Sequence, residues 1–368
     1  MDKINIGVIG LGLAWERLHA PALEKLQDRF RIVAVCDKDK TKVYNVANAL
    51  GLSSESIFDN QNALLEHNDI EAVLSLVPIS ENFETAQAVI NKGKHLIAEK
   101  PFASTPEAAR KLIRQKNKQG VKVMVAENLR YEEENTIIKQ ILTSGQIGNP
   151  VYFIDNNIVE YEESANQGGF AQTSWRQNPT YEGGVLLDSG VHHIARMRYF
   201  FGDVNNVYAF GRPSNLDFTP FSCINALLDF EDGVAGHYSF FVSGKETQSP
   251  IIGLRIFGTH GEIFLEERHC GFVNVTYKDN RPAEVLQYNA GQGYFHEWED
   301  FHSALRLGGK IESTPEKALG DIETIFDMIE SAYTNGYKKP GYSYDTNPRR
   351  LTHALVMPGV SRRETSKL

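Results

Sequence analysis

A chain of 368 residues, 41% hydrophobic and 23% charged, has the composition of a globular protein and is too long for one ordinary core, so two domains are expected. The net charge of −9 argues against a broad nucleic-acid or anionic-membrane footprint. No apolar run is long enough to span a bilayer and no signal-peptide core opens the chain; Cys36, Cys223 and Cys270 are scattered, with no CxxC and no zinc signal, which fits a reducing, cytoplasmic setting.

Residues 4–9 (INIGVI) read as a strand, followed by the turn Gly10-Leu11-Gly12 and a stretch with Leu18, Ala22, Leu23 and Leu26 at helical spacing. A strand at 32–36 precedes a helical pattern through Val43, Ala47 and Leu50. A strand at 72–77 precedes a helix carrying Phe83, Ala86, Val89 and Ile90; 95–98 is strand-like, 106–118 helix-like and 121–125 strand-like. This alternation predicts βαβ units on a parallel sheet, extending to about residue 127. The pattern then changes. A strand is expected at 151–159, a glycine-rich polar loop at 162–182 and one helix at 184–201. Strands follow at 204–210, 222–230, 234–242, 251–257 and 272–277, joined by hairpin-like turns, which predicts an antiparallel or mixed sheet. Two amphipathic helices, 294–307 and 315–335, come last, the second opened by Ser313-Thr314-Pro315-Glu316. The expected units are 1–127, 128–340 and a tail, 341–368, that wraps the surface. Its final Ser366-Lys367-Leu368 would be a peroxisomal address in a eukaryotic cell, the alternative to a cytoplasmic location.

The turn at Gly10 and Gly12 lies between a strand and a helix. There the first glycine permits a tight turn and the second lets backbone approach a pyrophosphate, which rests on helix amides. Trp15 replaces the small third residue of that fingerprint, so the first helix is expected to be displaced or to begin differently. Asp37, ending the second strand, is suited to the adenosine ribose hydroxyls, which favours NAD over NADP; Lys38 and Lys40 could instead neutralise a 2′-phosphate, and Asp37 could be only a turn or helix-cap residue before Thr41.

Glu99-Lys100-Pro101 follows a strand at the crevice end of the sheet, where a lysine can donate to a substrate oxygen; an exposed pair before a proline turn is the plainer reading. Asp188 and His192 are four residues apart, on one helix face, so the carboxylate could orient the imidazole and make it a better proton acceptor; a capped, partly buried histidine is the commoner case. Gly190 between them costs about 1 kcal/mol of helix stability, which a close-approaching cofactor or backbone would explain. His193 points elsewhere, and no His/Asp/Glu cluster has metal-ligand spacing.

Taken together, Gly10-Leu11-Gly12 with His19-Ala20-Pro21-Ala22-Leu23, Glu99-Lys100-Pro101, Asn128-x-Arg130, Gly145-Gln146-Ile147-Gly148, Trp175-Arg176 and Gly183-Gly184 leading to Asp188-x-Gly190-x-His192 resemble the Gfo/Idh/MocA oxidoreductases, in order over residues 4–335. The resemblance implies an α/β protein: an N-terminal Rossmann dinucleotide-binding domain and a second α/β domain on a large, mostly antiparallel sheet that often forms the oligomer contact, here a dimer or tetramer. It implies a hydride transfer between NAD or NADP and a sugar, cyclitol or related polyol. Lys100 would polarise the reacting oxygen, His192 would exchange its proton, and Asp188 would orient His192 or touch substrate. A cis Lys100–Pro101 bond is also implied.

The cofactor set so implied is Gly10, Gly12, Leu13, Asp37, Lys38, Val77, Pro78, Asn82, Glu99 and Lys100. Val77-Pro78-Ile79-Ser80-Glu81-Asn82 departs from the family's usual Thr-Pro-Asn, and Ala195 stands where many members carry another Asp. Arg130, Tyr131, Trp175, Arg176 and Tyr181 are the expected substrate contacts, or else an Arg–aromatic cluster closing a domain interface; Tyr161 and 162–174 could form a lid or merely a surface excursion. Two other functions stay open: a reductase of a non-sugar carbonyl or dihydrodiol, and a dinucleotide-binding regulator without chemistry.

Overall fold

The structure, a computed structural model, describes residues 3–159, 168–242, 253–266 and 270–335. Tyr161, residues 162–167 of the expected lid, and the tail 341–368 with its terminal tripeptide lie outside the described residues.

Six parallel strands form the first sheet: β1 (Ile4–Ile9), β2 (Phe30–Cys36), β3 (Ile57–Phe58), β4 (Ala72–Ser75), β5 (His95–Glu99) and β6 (Val123–Ala126), in the order β3-β2-β1-β4-β5-β6. Strand order reverses between β1 and β4, so the loops leaving their carboxyl ends diverge and open a crevice. Near-continuous apolar runs such as Val73-Leu74 are fully buried because helices cover both faces of a parallel sheet. The first helix opens on a π turn, Trp15–His19, and continues as Ala20–Glu24. The indole of Trp15 is buried in the same apolar cluster as Leu11 and Leu23, so the altered fingerprint residue does accompany an altered helix start.

The second sheet has eight strands: β7 (Pro150–Ile158), β8 (Val204–Pro213), β9 (Phe221–Phe230), β10 (Ala235–Phe241), β11 (Gly253–Gly258), β12 (Gly261–Leu265), β13 (Phe272–Tyr277) and β14 (Glu284–Gln287). Their order is β14-β13-β12-β11-β7-β10-β9-β8, and among the described residues only β7 and β10 pair in parallel. The strands β3, β12 and β14 and the helix Glu133–Ser144 go beyond the sequence expectation: β3 is two residues long, and β14 is a largely exposed edge without an apolar run. One face of this sheet is covered by the helices Val191–Phe201 and Pro315–Asn335, where Ser331 Oγ accepts the Ala209 N–H at 2.8 Å. The expected single helix over 184–201 is a π turn, Leu186–Gly190, running into Val191–Phe201.

The helix Gly293–Arg306 leaves the second sheet and packs on the first. Trp298 is fully buried there, edge-on to Phe30 with ring centroids 5.0 Å apart. Tyr294, in the first turn of that helix, reaches the crevice at the other end of the sheet.

Candidate active site

A cleft of about 1210 Å³ runs along the carboxyl ends of β1, β2, β4 and β5, and the segments 169–176 and 188–193 close it from the other side. Gly10 turns the chain out of β1 with φ +94°; a Cβ there would sit 2.5 Å from the Leu76 carbonyl oxygen. Among the described residues nothing lies within 4 Å of the place a Gly12 Cβ would occupy, so backbone faces open cleft at the start of the first helix. That bare backbone fits a dinucleotide pyrophosphate. Leu13, Val77 and Pro78 line the same cleft. Asp37 lines it too, its carboxylate accepting from Leu11 N–H at 2.7 Å and Asp39 N–H at 2.8 Å. The cap of the helix Lys40–Leu50 is Asp39, which accepts from the Thr41 and Lys42 amides, so Asp37 is not the cap; its bond from the Asp39 N–H makes it a turn residue as well as a cleft-lining one. Lys38 pairs with Glu81 at 2.8 Å, and Lys40 approaches Asp59 at 3.6 Å.

Asn82 does not reach the cleft lining. It sits on the inward face of the helix Ile79–Asn91 and donates to the Pro101 carbonyl at 2.7 Å, bracing the loop that carries Lys100. The Lys100–Pro101 bond is cis. Glu99 and Lys100 both line the cleft. Lys100 Nζ donates to the Asp188 carbonyl at 2.6 Å and to Asp188 Oδ1 at 2.9 Å. Arg176 Nε donates to Asp188 Oδ2 at 2.6 Å, with its guanidinium 4.0 Å from the centre of the Trp175 ring. Burial opposes ionisation of Asp188, but Lys100 and Arg176 together outweigh it and hold the carboxyl well below its ordinary range.

Asp188 therefore does not orient His192, contrary to the spacing argument; both its oxygens are taken by cations, and the π turn replaces the α-helical geometry that argument assumed. The partner of His192 is Glu127, whose Oε1 lies 2.7 Å from Nδ1. Glu127 is buried just past β6, and although burial disfavours its charge, His192, Lys100 and Arg130 hold its carboxyl below the usual value. With Nδ1–H donated to Glu127, Nε2 is the ring nitrogen left for the cleft. Sequence reasoning missed Glu127, although its position just past a parallel strand, like that of Asp37, is the available signal.

Trp175 and Arg176 line the cleft; Arg130, Tyr131 and Tyr181 do not. Arg130 is buried and bidentate on Asp321 at 2.8 and 2.9 Å, because the short turn Asn128–Arg130 sends Asn128 to the cleft and Arg130 toward the helix Pro315–Asn335. The Tyr131 hydroxyl donates to Asp300 at 2.7 Å and accepts the Ser313 N–H at 2.9 Å. Both side chains instead tie together buried segments that are distant in sequence. Tyr181 packs behind Trp175, ring centroids 6.5 Å apart. His193, expected to point elsewhere, also lines the cleft, with Nδ1 3.2 Å from the Tyr238 hydroxyl. Gly190 serves packing: its added Cβ would meet Leu186 at 3.0 Å, Tyr238 at 3.3 Å and Ile325 at 3.5 Å. Among the described residues no group of three His, Cys, Asp or Glu is arranged to hold a metal ion.

Comparison with known proteins adds to this geometry. A family model described as the oxidoreductase family, NAD-binding Rossmann fold, matches residues 4–127, and the model of the same family's C-terminal alpha/beta domain matches 139–339. An uncharacterised protein of Saccharomyces cerevisiae is 25% identical over 350 residues, 91% of this chain and 98% of that one. A 1,5-anhydro-D-fructose reductase of Ensifer adhaerens is 25% identical over 308 residues, 80% of this chain and 86% of its own. A crystal structure of an oxidoreductase from Thermotoga maritima superposes with a TM-score of 0.79 at 28% identity, covering 90% of this chain and 97% of that one.

Proposed function

Because the chain belongs to the Gfo/Idh/MocA oxidoreductase family, we propose that it is a dehydrogenase or reductase that uses NAD to interconvert an alcohol and a carbonyl on a sugar, cyclitol or related polyol. The observation that carries this reading is the meeting of Lys100, held by Asp188, and His192, held by Glu127, in the cleft that begins at the glycine turn. A bound nicotinamide ring supplies the hydride acceptor or donor. Gly10, Gly12 and Leu13 are the residues to hold its pyrophosphate, and Asp37 its adenosine ribose.

The ammonium of Lys100 has three N–H donors, and Asp188 uses two of them. The third serves the reacting oxygen and stabilises the negative charge that develops on it. His192 Nε2 takes the hydroxyl proton in oxidation and returns it in reduction, while the Glu127 carboxylate stabilises the imidazolium that forms. Trp175 offers an apolar face to the substrate, and the sugar chemistry of the Ensifer adhaerens relative supports a polyhydroxylated partner. Preference for NAD follows from Asp37, whose carboxylate repels a 2′-phosphate while Lys38 and Lys40 are engaged by Glu81 and Asp59.

The test is a panel of sugars, inositols and dihydrodiols with each cofactor, followed by nicotinamide absorbance. A panel compound turned over faster with NAD than with NADP, by an enzyme whose Lys100→Ala variant loses at least about 100-fold in kcat, is the expected outcome. Near-wild-type turnover by Lys100→Ala sinks the assignment. Cofactor binding with no turnover of any compound would favour a non-catalytic regulator.

The open face of the second sheet supports a homo-oligomer, either a dimer or a tetramer. Tyr152, Tyr208, Leu227, Phe272 and Val285 share that face by strand register, and all are exposed large apolar side chains.

A further inference from the structure

We propose that His19 is a positioning residue that sets the reach of Lys100 through Glu99, an inference that rests on the role of Lys100 proposed above. His19 ends the π turn after the glycine loop and is fully buried. Trp298 Nε1–H donates to its Nδ1 at 3.2 Å. An indole N–H is only a donor, so Nδ1 carries a lone pair and the ring hydrogen sits on Nε2. Nε2 lies 3.1 Å from Glu99 Oε1 and donates to it. The other Glu99 oxygen, Oε2, accepts the backbone N–H of Lys100 at 3.1 Å. The Glu99 carboxylate is thus a bridge from a tautomer-locked imidazole to the main chain of Lys100.

Besides Glu99 and Trp298, His19 faces the Tyr294 ring, edge-on at 5.2 Å, and Glu297 Oε1, 3.7 Å from Nδ1. Burial, and then the nearby Glu99, Glu127 and Glu132, push the Glu297 carboxyl well above its ordinary value. From the opposite side Asn82 holds the Pro101 carbonyl. Removing the imidazole leaves Glu99 Oε1 without that donor, and the backbone of Lys100 then hangs on a carboxylate free to turn. Displacement of about 1 Å at a reacting group can cost roughly 100-fold in rate, so the effect belongs in kcat.

The experiment compares His19→Leu and His19→Gln with the wild type and with Lys100→Ala, measuring kcat, KM, NADH affinity by fluorescence titration, and the unfolding midpoint. Expected for His19→Leu is a kcat lower by about 10- to 100-fold with NADH affinity within about 3-fold, and His19→Gln, which keeps an N–H for Glu99, recovers most of the loss. Wild-type kcat in His19→Leu, or a His19→Gln variant as slow as His19→Leu, overturns the proposal while leaving the Lys100 assignment standing. Nitrogen NMR of histidine-labelled wild-type enzyme reads the same arrangement without turnover or folding of a variant: Nδ1 of His19 unprotonated supports it, and a proton on Nδ1 overturns it. If no compound is turned over by the wild type, the functional reading fails and the NMR result still decides the tautomer.

Discussion

Two carboxylates divide the work at the cleft, and their partners show which does what. Asp188 is spent on Lys100 and Arg176, and Glu127 is spent on His192. Replacing Glu127 by Gln keeps a hydrogen-bond acceptor but removes the negative charge that faces His192. The Glu127→Gln enzyme is expected to lose about 10- to 1000-fold in kcat, because the imidazolium formed in the reaction loses its counter-charge. Steady-state kinetics beside an unfolding midpoint check it. A wild-type kcat would mean that Glu127 supports the fold without serving the base. Lys100, Asp188 and His192 were legible in the sequence because their chemical types stand out at strand and helix ends. Glu127 was not, because an acid 65 residues before its histidine carries no spacing signal.

At the scale of elements, the glycine turn separates two kinds of requirement. Gly10 is required by the fold: its φ is +94° and its Cβ would strike the Leu76 carbonyl. An added Gly12 Cβ would meet no atom of the described residues, so its requirement comes from whatever occupies the cleft. Gly10→Ala is therefore expected to destabilise the protein by about 1–3 kcal/mol, whereas Gly12→Ala should leave the unfolding midpoint near wild type and weaken NADH binding. Denaturant unfolding beside a binding titration separates them, and equal stability loss in both would refute the distinction. The π turns at Trp15–His19 and Leu186–Gly190 are the elements least visible beforehand. A helix-period pattern does not distinguish coils that differ by a fraction of a residue per turn. Yet these turns carry His19 and Asp188 to their partners.

In the whole molecule, stability and chemistry sit on different charge pairs. Arg130 joins the segment after β6 to the helix Pro315–Asn335 through buried Asp321, which Arg198 also holds. Because Arg198 keeps Asp321 paired, Arg130→Ala should cost about 3 kcal/mol, the low end for breaking a buried ion pair, with kcat/KM of the folded enzyme unchanged. A loss of substrate affinity at full stability would restore Arg130 to the pocket. On the open sheet face, Leu227→Arg is expected to shift the protein toward smaller species in sedimentation velocity, and an unchanged sedimentation coefficient would move the contact elsewhere. The two sheets, the parallel alternation of the first and the strand-end placement of Asp37 and Lys100 were determined by the sequence alone, because periodicity and turn residues act over a few neighbours. The partners of Asp188, His192, His19 and Arg130 were decided only by the tertiary structure. A buried charge must find a counter-charge or a donor wherever packing brings one, and no local pattern records a partner many tens of residues away.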